Sequence, residues 1–162
     1  MSVSAFTSVS TNGLLGQLVN TATLKYNDNE IAVNALWDTG ASKTCISKEA
    51  VQALELVALG KQKIRTPSGE SEVSNYLIDI LLPNNLTVRD ISVCDSEIGS
   101  QGIGVLIGMD IITLGDFAVS NLNSKTVFSF RTPSLSLTDY VGAEKLKQVI
   151  GSKHGKGKRK KK

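Results

Sequence analysis

Apolar and polar positions alternate in short runs along most of this chain, the period of strands with one buried face. Leu18 to Tyr26 alternates as a strand and Asn27-Asp28-Asn29 turns. Glu30 to Leu36 then returns, with Ile31, Val33 and Ala35 set among polar or small partners. Thr44-Cys45-Ile46 resumes a strand, and Ser47 is placed to cap a short helix over Lys48 to Leu54 whose first turn carries Glu49. Lys61 to Thr66 and Glu70 to Leu82 flank a Pro67-Ser68-Gly69 turn, and Pro83-Asn84-Asn85 leads into Leu86 to Cys94. Ser96 to Gly104 reads as a loop, Val105 to Ile107 as a short buried strand, and Met109 to Leu114 as a helix that Gly115 ends. Phe117 to Ser120 and Thr126 to Phe130 pair around Asn121-Leu122-Asn123-Ser124.

The two ends break this rhythm. Residues 1–13 are Ser/Thr-rich and aperiodic, a flexible N-terminal segment. Thr138 is the expected N-cap of a helix running to about Ile150, with Val141, Leu146 and Val149 or Ile150 on its apolar side and Gly151 beyond its end. The expected organisation is an all-β, barrel-like domain over 14–133 with one or two short helices, a C-terminal helical extension over 134–151 and a basic disordered tail over 152–162.

Composition narrows the chemistry. At 162 residues the chain suits one domain with a real core. The formal charge of +3 is a property of the tail: Lys153 to Lys162 hold seven of the eighteen basic residues and no acid. Residues 1–152 carry eleven basic against fifteen acidic, a balance of −4. The tail reads as a solvated terminus or as a salt-dependent contact for nucleic acid or another polyanion. Met1 to Thr7 has no basic stretch leading a long apolar one, and no run approaches a membrane span, so a soluble cytoplasmic protein without membrane contact is expected. Cys45 and Cys94 fall in apolar strands and read as two buried free thiols rather than a disulfide. His154 is the one histidine, and no His or Cys cluster suggests a metal, a cofactor or a Ser/His or Cys/His nucleophile.

The candidate chemistry sits in Ala35-Leu36-Trp37-Asp38-Thr39-Gly40-Ala41-Ser42, an apolar strand that stops at a carboxylate followed by small residues. Strand burial partly desolvates such a carboxylate, and the small residues let backbone, ligand or a second chain approach. The plain alternative is a turn-capping aspartate. About seventy residues on, Val105-Leu106-Ile107-Gly108-Met109-Asp110-Ile111-Ile112 supplies a second signal: apolar residues, Gly, then a short helix in which Asp110 reads as a cap. Together, and with the intervening Ile64 to Val73 hairpin, these stretches resemble the aspartic proteases of the retropepsin type over about Leu18 to Arg131.

That resemblance implies a retropepsin-like acid-protease barrel in which Asp38 is the catalytic carboxylate. It makes Thr39, Gly40 and Ala41 the active-site loop, and has Ile107 and Gly108 pack beneath it. Thr39 would link two loops through its hydroxyl, Gly40 would offer backbone to a peptide substrate, and Thr66, Pro67, Ser68, Gly69 and Glu70 would form a substrate-covering flap. The chemistry needs two carboxylates sharing one proton, and no second Asp-Thr-Gly or Asp-Ser-Gly occurs. A homodimer pairing Asp38 with its copy is therefore implied. Ser42, Lys43 and Met109 depart from the viral members, where an acid and an Arg pair; losing both leaves no orphan charge, and the pattern looks more like cellular, bacterial or retroelement members. Two other functions fit the same residues: a non-catalytic dimeric module of this fold that holds a peptide or partner, and a barrel that only dimerises nucleic-acid-binding tails.

Overall fold

The structure, a computed structural model, describes residues 3–66 and 69–142. Ten strands and two short helices follow one another: β1 (Ser4–Val9), β2 (Leu18–Tyr26), β3 (Asn29–Trp37), β4 (Cys45–Ser47), α1 (Lys48–Ala53), β5 (Gly60–Thr66), β6 (Gly69–Leu82), β7 (Leu86–Ser96), β8 (Val105–Ile107), α2 (Met109–Ile112), β9 (Asp116–Leu122) and β10 (Lys125–Thr132).

Seven strands lie in the order β2-β3-β8-β4-β7-β6-β5, and β2 also pairs with β6 through Thr23 to Lys25. That extra pairing closes six of them into a barrel and leaves β5 projecting with the first half of β6 as a hairpin. Two parallel pairs, β3 with β8 and β4 with β7, sit among antiparallel neighbours. The alternation seen in sequence becomes burial: Leu24, Ala35, Ile46, Ile80, Val105 and Ile107 are fully enclosed. Each large one stabilises the barrel by about 1.5–3 kcal/mol. α1 begins where expected, with the Ser47 hydroxyl accepting the Ala50 N–H at 3.1 Å, and Ala50 and Leu54 turn one face to the core.

The second sheet, β1-β10-β9, is antiparallel and packs its apolar face against the end of β3. Phe6, Phe117, Phe128 and Phe130 surround Trp37, whose ring stacks on Phe117 at 5.1 Å and 8°.

Four expectations change. Within the expected flexible lead-in, Ser4–Val9 is strand β1, paired with β10 from Ser4↔Thr132 to Val9↔Val127. One buried aromatic, Phe6, and a full ladder of backbone bonds hold it, which a Ser/Thr-rich composition does not advertise. The β9–β10 turn is tighter than Asn121 to Ser124, with Asn123 (φ 54°) and Ser124 (φ 58°) alone between the strands, the left-handed pair that matches strand twist. α2 ends at Ile112 with Thr113 as its C-cap, rather than at Leu114 before Gly115, whose missing side chain instead makes room for the Arg131 carbonyl. The cap of the terminal helix is Asp139 rather than Thr138: its carboxylate accepts the N–H groups of Val141 (2.9 Å) and Gly142 (3.0 Å). The remainder of that helix and the basic tail 152–162, with the polyanion contact expected of it, lie outside the described residues. Among the described residues no helix is long and apolar enough to cross a membrane.

Candidate active site

β3 runs inward beside β8, and the pairing of Trp37 with Ile107 continues one step further as the Asp38 N–H donates to the Ile107 carbonyl at 3.0 Å. Asp38 thus leaves the barrel at a fixed height. The chain then turns sharply: the Gly40 N–H donates to Asp38 Oδ1 at 2.8 Å and the Ala41 N–H to the Asp38 carbonyl at 3.2 Å. A side chain on Gly40 would lie 3.1 Å from that carboxylate oxygen, so the small residue keeps the acid seated. Asp38 and Ala41 are half-buried, and Thr39 and Gly40 are exposed.

Ile107 and Gly108 stand directly behind this loop. Ile107 is fully buried, and the Ala41 carbonyl accepts the Met109 N–H at 2.8 Å. Gly108 has no room for a side chain: an added carbon would lie 2.6 Å from the Lys43 carbonyl and 3.0 Å from the Ala41 oxygen. Its N–H donates to Thr44 Oγ1 at 3.1 Å.

Asp110 does more than the helix cap expected of it: its carboxylate accepts the first-turn Ile111 N–H at 3.0 Å, and it also serves Thr44. The residue before α2 is Gly108, with no capping side chain, and Asp110 receives the Thr44 N–H at 2.9 Å and the Thr44 hydroxyl at 2.6 Å. Thr44 is completely enclosed, so this carboxylate satisfies polar groups that would otherwise be stranded. Sequence reasoning missed Thr44; a Thr leading into an apolar strand and an acid two residues after Gly108 were the available signals.

Asp38 opens onto a hollow of about 450 Å³ lined by Gly16, Leu18, Trp37, Thr39, Phe117 and Val119. Trp37 forms its wall and is itself fixed by donating Nε1–H to Asn20 Oδ1 at 2.6 Å. A larger hollow, about 780 Å³, lies between the small sheet and residues 134–138. Its acid, Asp116, is taken up by Arg131, the Ser134 hydroxyl and the N–H groups of Leu135 and Ser136, which leaves it structural.

The expected flap is the β5–β6 hairpin. Thr66 and Gly69 are its last paired residues, Gly69 has φ 125°, and Glu70 is exposed; Pro67 and Ser68 lie outside the described residues. None of the hairpin's described residues lines the hollow around Asp38. Asp38, Thr39, Gly40 and Ala41 are thus joined to Ile107 and Gly108. Among the described residues no group of three His, Cys, Asp or Glu side chains could hold a metal.

None of the curated proteins matches this chain. In structure it is similar to a retropepsin-like aspartic protease from Rickettsia conorii, at 16% identity and a TM-score of 0.54, covering 82% of this chain and 97% of that one. The shared property is the fold. Weaker likenesses join it to the EIAV protease complexed with the inhibitor HBY-793 (18% identity, TM-score 0.48, 64% of this chain and 91% of that one) and to the Simian Foamy Virus (mac) protease (22%, 0.42, 59% and 91%). The family model described as "gag-polyprotein putative aspartyl protease" matches residues 22–113. This is more than half of the chain, and it takes in both the Asp38 loop and its Ile107-Gly108 support. The chain belongs to that gag-polyprotein aspartyl protease family.

Proposed function

We propose that this protein is an aspartic endopeptidase that works as a homodimer, with Asp38 of each copy contributing to one catalytic pair. The observation that carries the reading is the seating of Asp38: a half-buried carboxylate at a strand end, held by the Gly40 N–H and opening onto a hollow. One chain supplies one such acid, and a twofold axis supplies the other. Two carboxylates at close range share a single proton. The ionised one takes a proton from a water as it attacks the peptide carbonyl, and the protonated one donates to the carbonyl oxygen.

The surrounding residues take roles consistent with that chemistry. Thr39, exposed beside Asp38, is suited to meet the facing loop of the second copy through its hydroxyl. Gly40 and Ala41 present backbone without bulk to an extended peptide, which adds strand-like hydrogen bonds. The hairpin tip, Thr66 to Glu70, closes over the bound peptide and excludes water. The strands that carry it, β5 and the first half of β6, lie beyond the closed part of the barrel.

The test is incubation of wild type and Asp38→Asn with a mixed peptide library between about pH 4 and about pH 7. Cleavage by wild type, reduced about 100-fold or more in the variant, supports the reading. Equal peptide retention by both proteins with no cleavage by either assigns the groove to binding alone. The same samples in sedimentation should show a dimer at working concentration, and the shared proton should give the pH–rate profile two limbs.

A further inference from the structure

Cys45 and Cys94 are direct partners across the parallel β4–β7 pair, and their sulfurs lie 2.9 Å apart. Both are free thiols, Cys94 buried and Cys45 half-buried. Nothing in the proposed peptide cleavage uses them. Neighbouring strands are about 4.8 Å apart, inside the roughly 4.4–6.8 Å between Cα atoms that a disulfide bridges. The backbone around the pair is fixed on both sides, since the Cys94 N–H donates to the Thr44 carbonyl and Cys45 also pairs with Leu106 of β8.

We propose that Cys45 and Cys94 are an oxidation site, in which a peroxide converts the two thiols into one disulfide between β4 and β7 and a thiol reductant reverses it. Cys45 is the entry point because it alone of the two reaches the surface. Its thiolate attacks the peroxide, the O–O bond breaks, water leaves after protonation, and Cys45 becomes a sulfenic acid. Cys94 then attacks the Cys45 sulfur, and a second water is released as the S–S bond forms. The two thiols lose two electrons and two protons in total, and the peroxide is reduced to two waters.

The pair's ionisation favours the second step. The hydrogen bond from Cys45 holds the Cys94 thiol below its ordinary range, so Cys94 is the better placed resolving thiolate. The same bond, then burial, pushes Cys45 up once its neighbour is charged. The Cys45 thiolate is thus the minor form of the pair, and its attack on the peroxide is the slow step.

The tie would lie next to the catalytic frame, because Thr44 precedes Cys45 and holds both Asp110 and Gly108. It also closes the chain from 45 to 94, which includes α1 and the whole β5–β6 hairpin. Restraining so long a segment in the unfolded chain raises the melting temperature by about 10 °C.

The experiment treats the full-length protein with hydrogen peroxide and reads intact mass, thiol count, non-reducing peptide maps and Tm. The expected result is a loss of two hydrogens, no titratable thiol, a Cys45–Cys94 peptide pair and a raised Tm, all reversed by dithiothreitol. Cys45→Ser should keep one thiol and the same Tm with or without peroxide. A sulfinic or sulfonic acid at Cys45 with Cys94 still free, a disulfide joining two chains, or a fall in Tm on oxidation overturns the proposal. These readouts do not depend on peptide cleavage, so they stand whether or not Asp38 proves catalytic.

Discussion

Thr44 and Asp110, 66 residues apart in sequence, clasp each other twice: the Thr44 hydroxyl donates to Oδ1 at 2.6 Å and its N–H to Oδ2 at 2.9 Å. The same hydroxyl oxygen accepts the Gly108 N–H, so a single buried side chain ties α2, the turn before it and the strand leaving the Asp38 loop. Thr44→Val keeps shape and backbone and deletes the hydroxyl. It strands the Gly108 N–H and removes one of the two bonds to Asp110 Oδ1, which keeps the Ile111 N–H, at a cost of about 1–3 kcal/mol. Chemical denaturation should show this loss, and Thr44→Ser should recover most of it.

Gly108 offers a purely steric test. Its φ of −94° is open to any residue, so no conformational penalty attends a substitution there. Gly108→Ala instead drives a methyl group into the Lys43 and Ala41 carbonyls, which belong to backbone that cannot swing away. Stability should fall by about 1–3 kcal/mol, and the Asp38 loop should be displaced with it. Gly60→Ala, at a position where an added carbon meets nothing within 4 Å, is the control that should fold and melt nearly as wild type does. Thermal melts of the two variants separate crowding at the loop from the general effect of losing a glycine.

Local pattern made much of this fold legible. β2 has the bounds its alternation implies, and α1 starts at the Ser47 cap because capping is decided by residues three apart. The meeting of Asp38 with Ile107 and Gly108 was legible for another reason, since two motifs of one family fold bring it about. What stayed hidden depends on partners far along the chain. β1 presents one buried aromatic among Ser and Thr, and its strand character comes from β10, more than a hundred residues away. Asp110 in the first turn of a short helix looks locally like a cap, and only the closing of β4 against β8 shows that it also serves Thr44. The barrel's closure by Thr23 to Lys25 against β6 has no sequence signal at all, because β2 already had a partner in β3.

Asp116 gives the stability of the small sheet a pH dependence. Its carboxylate accepts the Leu135 N–H, the Ser134 hydroxyl, the Arg131 guanidinium and, at greater length, the Ser136 N–H, and these bonds hold it well below the usual carboxylate range. A carboxyl depressed in the folded state stabilises that state above its unfolded value, near 4, and the benefit drains away as pH falls from there toward the folded value. Asp116→Asn keeps the size and removes the charge, so the variant should melt several degrees lower than wild type at neutral pH. The gap should narrow steadily below about pH 4, as wild type loses what the variant never had. Tm measured from about pH 7 down to about pH 3 checks both the sign and the window. A gap that stays constant through the acid range would mean that the amide fails to fill the site for steric reasons, and that Arg131, Ser134 and Leu135 gain nothing from the charge.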